Sequence, residues 1–145
     1  MALDRLPTRV NLSNHGVDVP NIHSSVCSLY LEDVQHTFFG REVAASLWRM
    51  CRICLDIALP VFSSLFEFLS WFDDWRESEE TNMKVYSIVA ALLWIIWRFR
   101  NSLAFPGDGM KKPLLFDSIR NISFNWCISR GKCMISWNDW LVKPL

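Results

Sequence analysis

The residues of this chain whose types could do chemistry are five cysteines, three histidines and a few paired acids. Cys51-Arg52-Ile53-Cys54 has the spacing of a dithiol redox motif. That chemistry needs the pair after a strand and at the start of a helix. Here it falls inside an apolar helical pattern, so the two are expected as buried thiols one turn apart. Cys127 and Cys133 have no second pair at ligand spacing and are read as core or surface thiols. Trp71-Phe72-Asp73-Asp74 has the aromatic-x-aspartate-aspartate order of a polymerase palm, but a palm needs strands around that turn and a third, distant aspartate to hold two metal ions. The pair here ends a helix and opens a solvated linker, and Tyr30-Leu31-Glu32-Asp33 fails in the same way. No Gly-rich phosphate loop, Ser/His/Asp set or His-x-Glu deaminase signature occurs. His15 precedes Gly16 and needs no role beyond a helix end. No catalytic residue is expected, and the chain is read as not an enzyme.

One stretch suits nucleic acid. Arg98 and Arg100, with Lys111 and Lys112 beyond them, stand beside Trp94 and Trp97. Guanidinium groups pair with phosphates while indoles stack on unpaired bases. Tryptophans three residues apart on an apolar helix also build cores, with the arginines reaching past them to solvent. The core assignment is the one favoured here.

The elements that must position these groups read as helices. Leu6 to Leu12 is a short helix with Thr8 as an N-cap and Gly16 as the stop. Val17 to Pro20 is extended, because the residue before a proline is pushed out of helical space. A compact stretch, Asn21 to Gly40, leads to a helix from about Arg41 to Leu55, with Val43, Leu47, Met50 and Cys54 on its apolar face. Asp56 to Pro60 breaks it. Val61 to Phe72 repeats the pattern with Phe62, Leu65, Phe66, Leu69 and Phe72, and Asp73 to Asn82 is the surface linker. The longest element, Met83 to Phe105, carries a wide stripe of Val85, Ile88, Val89, Leu92, Ile95, Ile96, Phe99 and Leu103, so it is the central helix. Pro106-Gly107-Asp108-Gly109 ends it as a turn. Pro113 opens the last long helix, with Leu115, Ile119, Ile122 and Trp126 at helical spacing and Gly131 as an interruption. Trp137 to Leu141 is a tail that docks on the body. The fold class is all-α, an irregular N-terminal segment followed by a small helical bundle.

The 145 residues fit one domain, and 51% hydrophobic content is enough to bury a core. Residues 1–83 hold six Lys/Arg against twelve Asp/Glu, a net −6, and residues 84–145 hold nine against three, a net +6. Such halves attract each other or offer a basic face to a partner, and the spread of the basic residues favours internal attraction or plain solvation. Met1 to Pro20 has no apolar signal-peptide core. The odd cysteine count argues against a disulfide framework, so a reducing intracellular compartment is expected. The most apolar run, Val85 to Trp97, is 13 residues long, short of the roughly 20 a membrane span needs, so no membrane partner is expected.

Several motifs run together in a recognisable order. Leu6-Pro7-Thr8-Arg9-Val10-Asn11-Leu12 and Gly16-Val17-Asp18-Val19-Pro20 precede Ser24-Ser25-Val26-Cys27, Glu32-Asp33-Val34-Gln35-His36 and Phe38-Phe39-Gly40-Arg41. Trp94-Ile95-Ile96-Trp97-Arg98-Phe99-Arg100-Asn101, Phe124-Asn125-Trp126-Cys127 and Trp137-Asn138-Asp139-Trp140 follow. The series resembles the reverse-transcriptase zinc-binding domain of plant LINE-type (non-LTR) retrotransposons over about residues 2–142. The likeness implies a degenerate zinc-binding segment at 1–58 and a tryptophan-rich helical part at 59–145, packed as one unit. It also implies a place downstream of the polymerase domain in an RNA-directed DNA polymerase polyprotein, assisting contacts with RNA or DNA. Met1 falls where that family's sequence continues upstream, as though an internal methionine had become a start.

The resemblance implies a Cys-x2-Cys-x8-His-x4-Cys zinc knuckle, and here the chain departs from it. Cys27 holds the second cysteine position and His36 the histidine position. Ser24 stands at the first cysteine position and Arg41 at the last. A serine hydroxyl stays protonated at neutral pH, and an arginine places a fixed positive charge where a thiolate belongs. Two of four ligands remain, with His23 beside the first position as a substitute, and zinc is expected not to bind. Two alternatives belong to other classes: a stand-alone nucleic-acid-binding module using the basic C-terminal half, or a helical interaction module with a self-associating tryptophan-rich surface.

Overall fold

The computed structural model describes residues 5–105, 107, 109–131 and 133–145. Pro106 and Asp108 of the expected turn lie outside them. The fold is all-α, and no strand occurs among the described residues. Helix α1, Arg9–Asn14, begins where the Thr8 hydroxyl accepts the Asn11 amide at 3.2 Å. Gly16 follows with φ +80°, a left-handed turn that costs glycine little.

The chain then makes a tight loop. Its limbs meet at an isolated antiparallel bridge between His23 and Leu31, with Ser24 N–H on Tyr30 O at 2.8 Å and Glu32 N–H on Ile22 O at 2.9 Å. Ser28 turns the tip with φ 56°. One π-helical turn, His36–Gly40, leads into α2, Glu42–Leu55. The buried face of α2 is Ala44, Leu47, Trp48, Cys51 and Leu55, rotated from the expected face, where Val43, Met50 and Cys54 are only half-buried. Trp48 decides the rotation. Its indole N–H donates to Phe38 O at 3.0 Å, and its ring packs between Phe39 and Phe62. Burying an indole removes more apolar area from water than burying Val43.

Asp56, at φ 51°, ends α2 in a left-handed cap. Helix α3, Leu65–Asp74, starts later than its apolar pattern predicts. The Ser64 hydroxyl accepts the Glu67 amide at 3.2 Å, and the Glu67 carboxylate accepts the N–H and O–H of Ser63 at 2.7 Å each, which fixes the first turn. Of the expected greasy face, Phe62 is buried and Leu65 and Phe72 are half-buried, while Leu69 is exposed. Phe68 is the buried residue of α3, whereas Phe66 is 78% exposed.

Helix α4, Glu79–Ala104, starts ahead of the expected Met83 because the Ser78 hydroxyl accepts the Thr81 amide at 3.1 Å. Glu79 and Glu80 in its first turn also suit the helix dipole. Its stripe from Val85 to Phe99 is buried as expected, while Leu103 is exposed. At 26 residues it is long and apolar enough to cross a membrane, yet 56% of its most apolar window is buried inside the fold. A 3-10 turn, Lys112–Leu114, opens α5, Leu115–Ser129, which lies along α4. Helix α2 packs against both, and α6, Trp137–Val142, docks on α5 through the buried Trp140. One core takes residues from Phe38 to Trp140.

The cysteine expectations need one correction. Cys127 and Cys133 are joined as a disulfide, where the sequence reading has two thiols. Cys127 lies in the last turn of α5 and Cys133 in the segment before α6, so the chain reversal at Gly131, φ 65°, brings them together. Cys51 is fully buried and Cys54 half-buried on α2, and burial pushes both thiols up.

Candidate functional site

The loop between α1 and α2 gathers the groups singled out at 24, 27, 36 and 41. Cys27 Sγ lies 3.2 Å from His36 Nε2. The π-turn sets the imidazole there, and Gly40 leaves it room, since a Cβ at that glycine would stand 3.2 Å from His36 Nδ1. Tyr30 covers the other side of the ring at 5.2 Å. Burial raises the Cys27 thiol's pKa, but hydrogen bonds from the amides of Leu29 and Tyr30 and from the side chains of Ser24 and His36 outweigh it and bring it to about 6.

Ser24 is buried, and its hydroxyl accepts the amides of Val26 at 3.2 Å and Cys27 at 3.5 Å. It closes the turn. His23 is exposed, and its ring turns to Asn21 Oδ1 at 3.0 Å, so it does not join Cys27 and His36. Arg41 faces inward. Its guanidinium reaches Glu32 Oε2 at 3.3 Å, and each partner is 5% exposed or less. It also lies within electrostatic range of Cys27.

Tetrahedral zinc requires four Cys or His donors. The donor set at this loop is one thiol, one imidazole, a hydroxyl already accepting two amides and a guanidinium. It does not fit the ion. Among the described residues, no group of three or more His, Cys, Asp or Glu is arranged to hold a metal.

Glu32 is the residue that sequence reasoning passed over. Its carboxylate is fully buried and accepts from Arg41, from both Arg100 Nε at 2.9 Å and Arg100 Nη2, from the Arg9 amide at 3.3 Å and from the Ser25 hydroxyl at 3.4 Å. Burial pushes its pKa up, but the hydrogen bond and charge of Arg100, then Arg9 and Arg41, hold it below the ordinary glutamate value. A signal existed. Arg100 stands one helical turn beyond Ile96 and two beyond Leu92, on the buried side of α4, and a cation there needs a buried anion.

That placement removes Arg100 from the nucleic-acid candidates. It is 4% exposed, and its guanidinium also lies 5.0 Å over the Trp97 ring, which stacks on Phe38. Arg98, Lys111 and Lys112 are exposed. The core assignment of the two tryptophans holds only in part. Trp97 is half-buried, whereas Trp94 is 47% exposed and forms, with Leu69, Tyr86, Phe68 and Trp126, the wall of an open apolar cleft of about 290 Å3.

No protein-family model, curated protein or solved structure matches the chain.

Proposed function

We propose that this chain is a non-catalytic accessory segment of a retrotransposon RNA-directed DNA polymerase polyprotein, with a zinc knuckle that has lost its metal. The observation that carries the proposal is the convergence of the motif positions. Ser24 and Cys27 share one turn, and His36 comes back to within 3.2 Å of the sulfur. Residues nine apart in sequence meet as two ligands of one ion would, while the two remaining positions carry groups that cannot bind one.

The deciding experiment measures zinc content after purification, for the native chain and for a Ser24→Cys plus Arg41→Cys double variant. The native chain is expected near zero and the double variant near one zinc per chain, since four soft donors at this spacing bind zinc tightly. Equal, full occupancy in both, or none in the double variant when it is folded, defeats the proposal.

A second function, direct contact with single-stranded nucleic acid, is favoured by the exposed Trp94. Arg98 follows it by four residues on the same helical face, so an indole plane and a guanidinium are offered side by side.

A further inference from the structure

We infer that Arg41 stands in for the missing ion: its guanidinium, clamped by Glu32 to Arg100, closes the 22–41 loop and ties it to the body without metal. A structural zinc cross-links segments distant in sequence in such a loop. Arg41 does this here: through the Glu32 carboxylate it joins α2 to α4.

The join has several arms. Arg41 precedes α2, Arg100 lies on α4 with 68 residues between it and Glu32, Arg9 N–H comes from the first residue of α1, and Ser25 comes from the loop tip. The Arg9 guanidinium adds bonds to Asn21 O at 3.2 Å and His23 O at 2.9 Å on the loop's first limb. One buried carboxylate thus gathers four segments, with two cations against one anion. A guanidinium suits this task because it remains charged when buried; Arg41 meets the carboxylate through Nη2 at 3.3 Å, while Arg100 holds it through both Nε and Nη2.

What Arg41 replaces rests on the zinc-knuckle proposal above; the lock itself stands on the contacts of Glu32. The test is built to separate the two. Amide hydrogen exchange across residues 22–36 is followed for the full chain, with and without a chelator, and for Arg41→Met and Arg41→Lys. The chelator is expected to change neither exchange nor Tm. Arg41→Met is expected to lose loop protection at least tenfold and to lower Tm by on the order of 10 °C, since it removes one member of a buried ionic group. Arg41→Lys, which keeps the charge on a shorter-reaching head group, should retain part of the protection. Unfolding of Arg41→Met, with the chelated native chain still folded, supports the lock as well. Loop protection unchanged in Arg41→Met overturns it, and so does a native chain that loses protection to the chelator. Failure of the double cysteine variant to bind zinc, with Arg41→Met still losing protection, removes the knuckle ancestry and leaves the lock.

Discussion

Glu32 links α1, the loop before α2, and α4 through one carboxylate, and its chemistry sets how this protein responds to acid. Its pKa lies below the ordinary glutamate value of 4.5. A carboxylate with a depressed folded pKa contributes stability that is complete above the unfolded value and is lost as pH falls through the folded one. Native Tm is therefore expected to drop steeply as pH falls below about 4.5. Glu32→Gln should be less stable at neutral pH, by roughly 3–5 kcal/mol, because it leaves two buried guanidinium groups without an anion. It should also lose most of the acid-dependent drop. Thermal melts at stepped pH check this, and parallel curves for the two proteins would count against Glu32 as the titrating group.

Individual helices show how capping and packing divide their control. Local hydroxyls at Ser64, Ser78 and Ser136 each accept an amide three residues on, and these caps set where α3, α4 and α6 start. Packing then chooses the buried face. In α3, Phe66 lies on the face that the apolar spacing predicts and Phe68 does not, yet Phe68 meets Trp48, Phe62, Trp71 and Phe72 within 6.3 Å while Phe66 meets solvent. Phe68→Ala is expected to cost about 3–5 kcal/mol through the cavity it leaves, and Phe66→Ala to stay within about 0.5 kcal/mol. Denaturant midpoints for the two variants decide it; equal losses would mean the face is assigned wrongly. At the end of α5, the Cys127–Cys133 disulfide closes a short loop with six residues' separation, which limits its entropic contribution to about 2 kcal/mol.

The molecule as a whole carries −6 on its first 83 residues and +6 on the rest, and part of that asymmetry is satisfied internally. Glu32 takes Arg100 across the divide, and Asp56 takes Lys143 at 3.0 Å. The latter pair is exposed and contributes little. Arg98, Lys111 and Lys112 stay on the surface with Trp94. Single-stranded RNA is expected to quench Trp94 fluorescence with an affinity that falls steeply as salt rises. Replacing Arg98, Lys111 and Lys112 together by alanine should flatten the log–log salt slope by about 2. An RNA titration at low salt with no quenching, or one whose slope the triple variant leaves unchanged, removes the nucleic-acid function.

The helical fold class, the buried stripe of α4 and the caps at Thr8 and Gly16 were legible in the sequence, because helical period and capping are properties of neighbours within a few residues. Cys27 and His36, which meet at 3.2 Å, were singled out together in the sequence by resemblance alone. What only the tertiary structure decided is non-local. An apolar pattern says that a helix has a greasy face but not which neighbour will fill it, so Trp48 and Phe68 displaced the expected faces and Trp94 came to line an open cleft. A charge in the sequence does not name its partner, and Arg41 and Arg100 found theirs in Glu32, at separations of 9 and 68 residues. Burying that carboxylate without a cation beside it is costly, and this requirement, imposed by the packed fold, is what drew them inward.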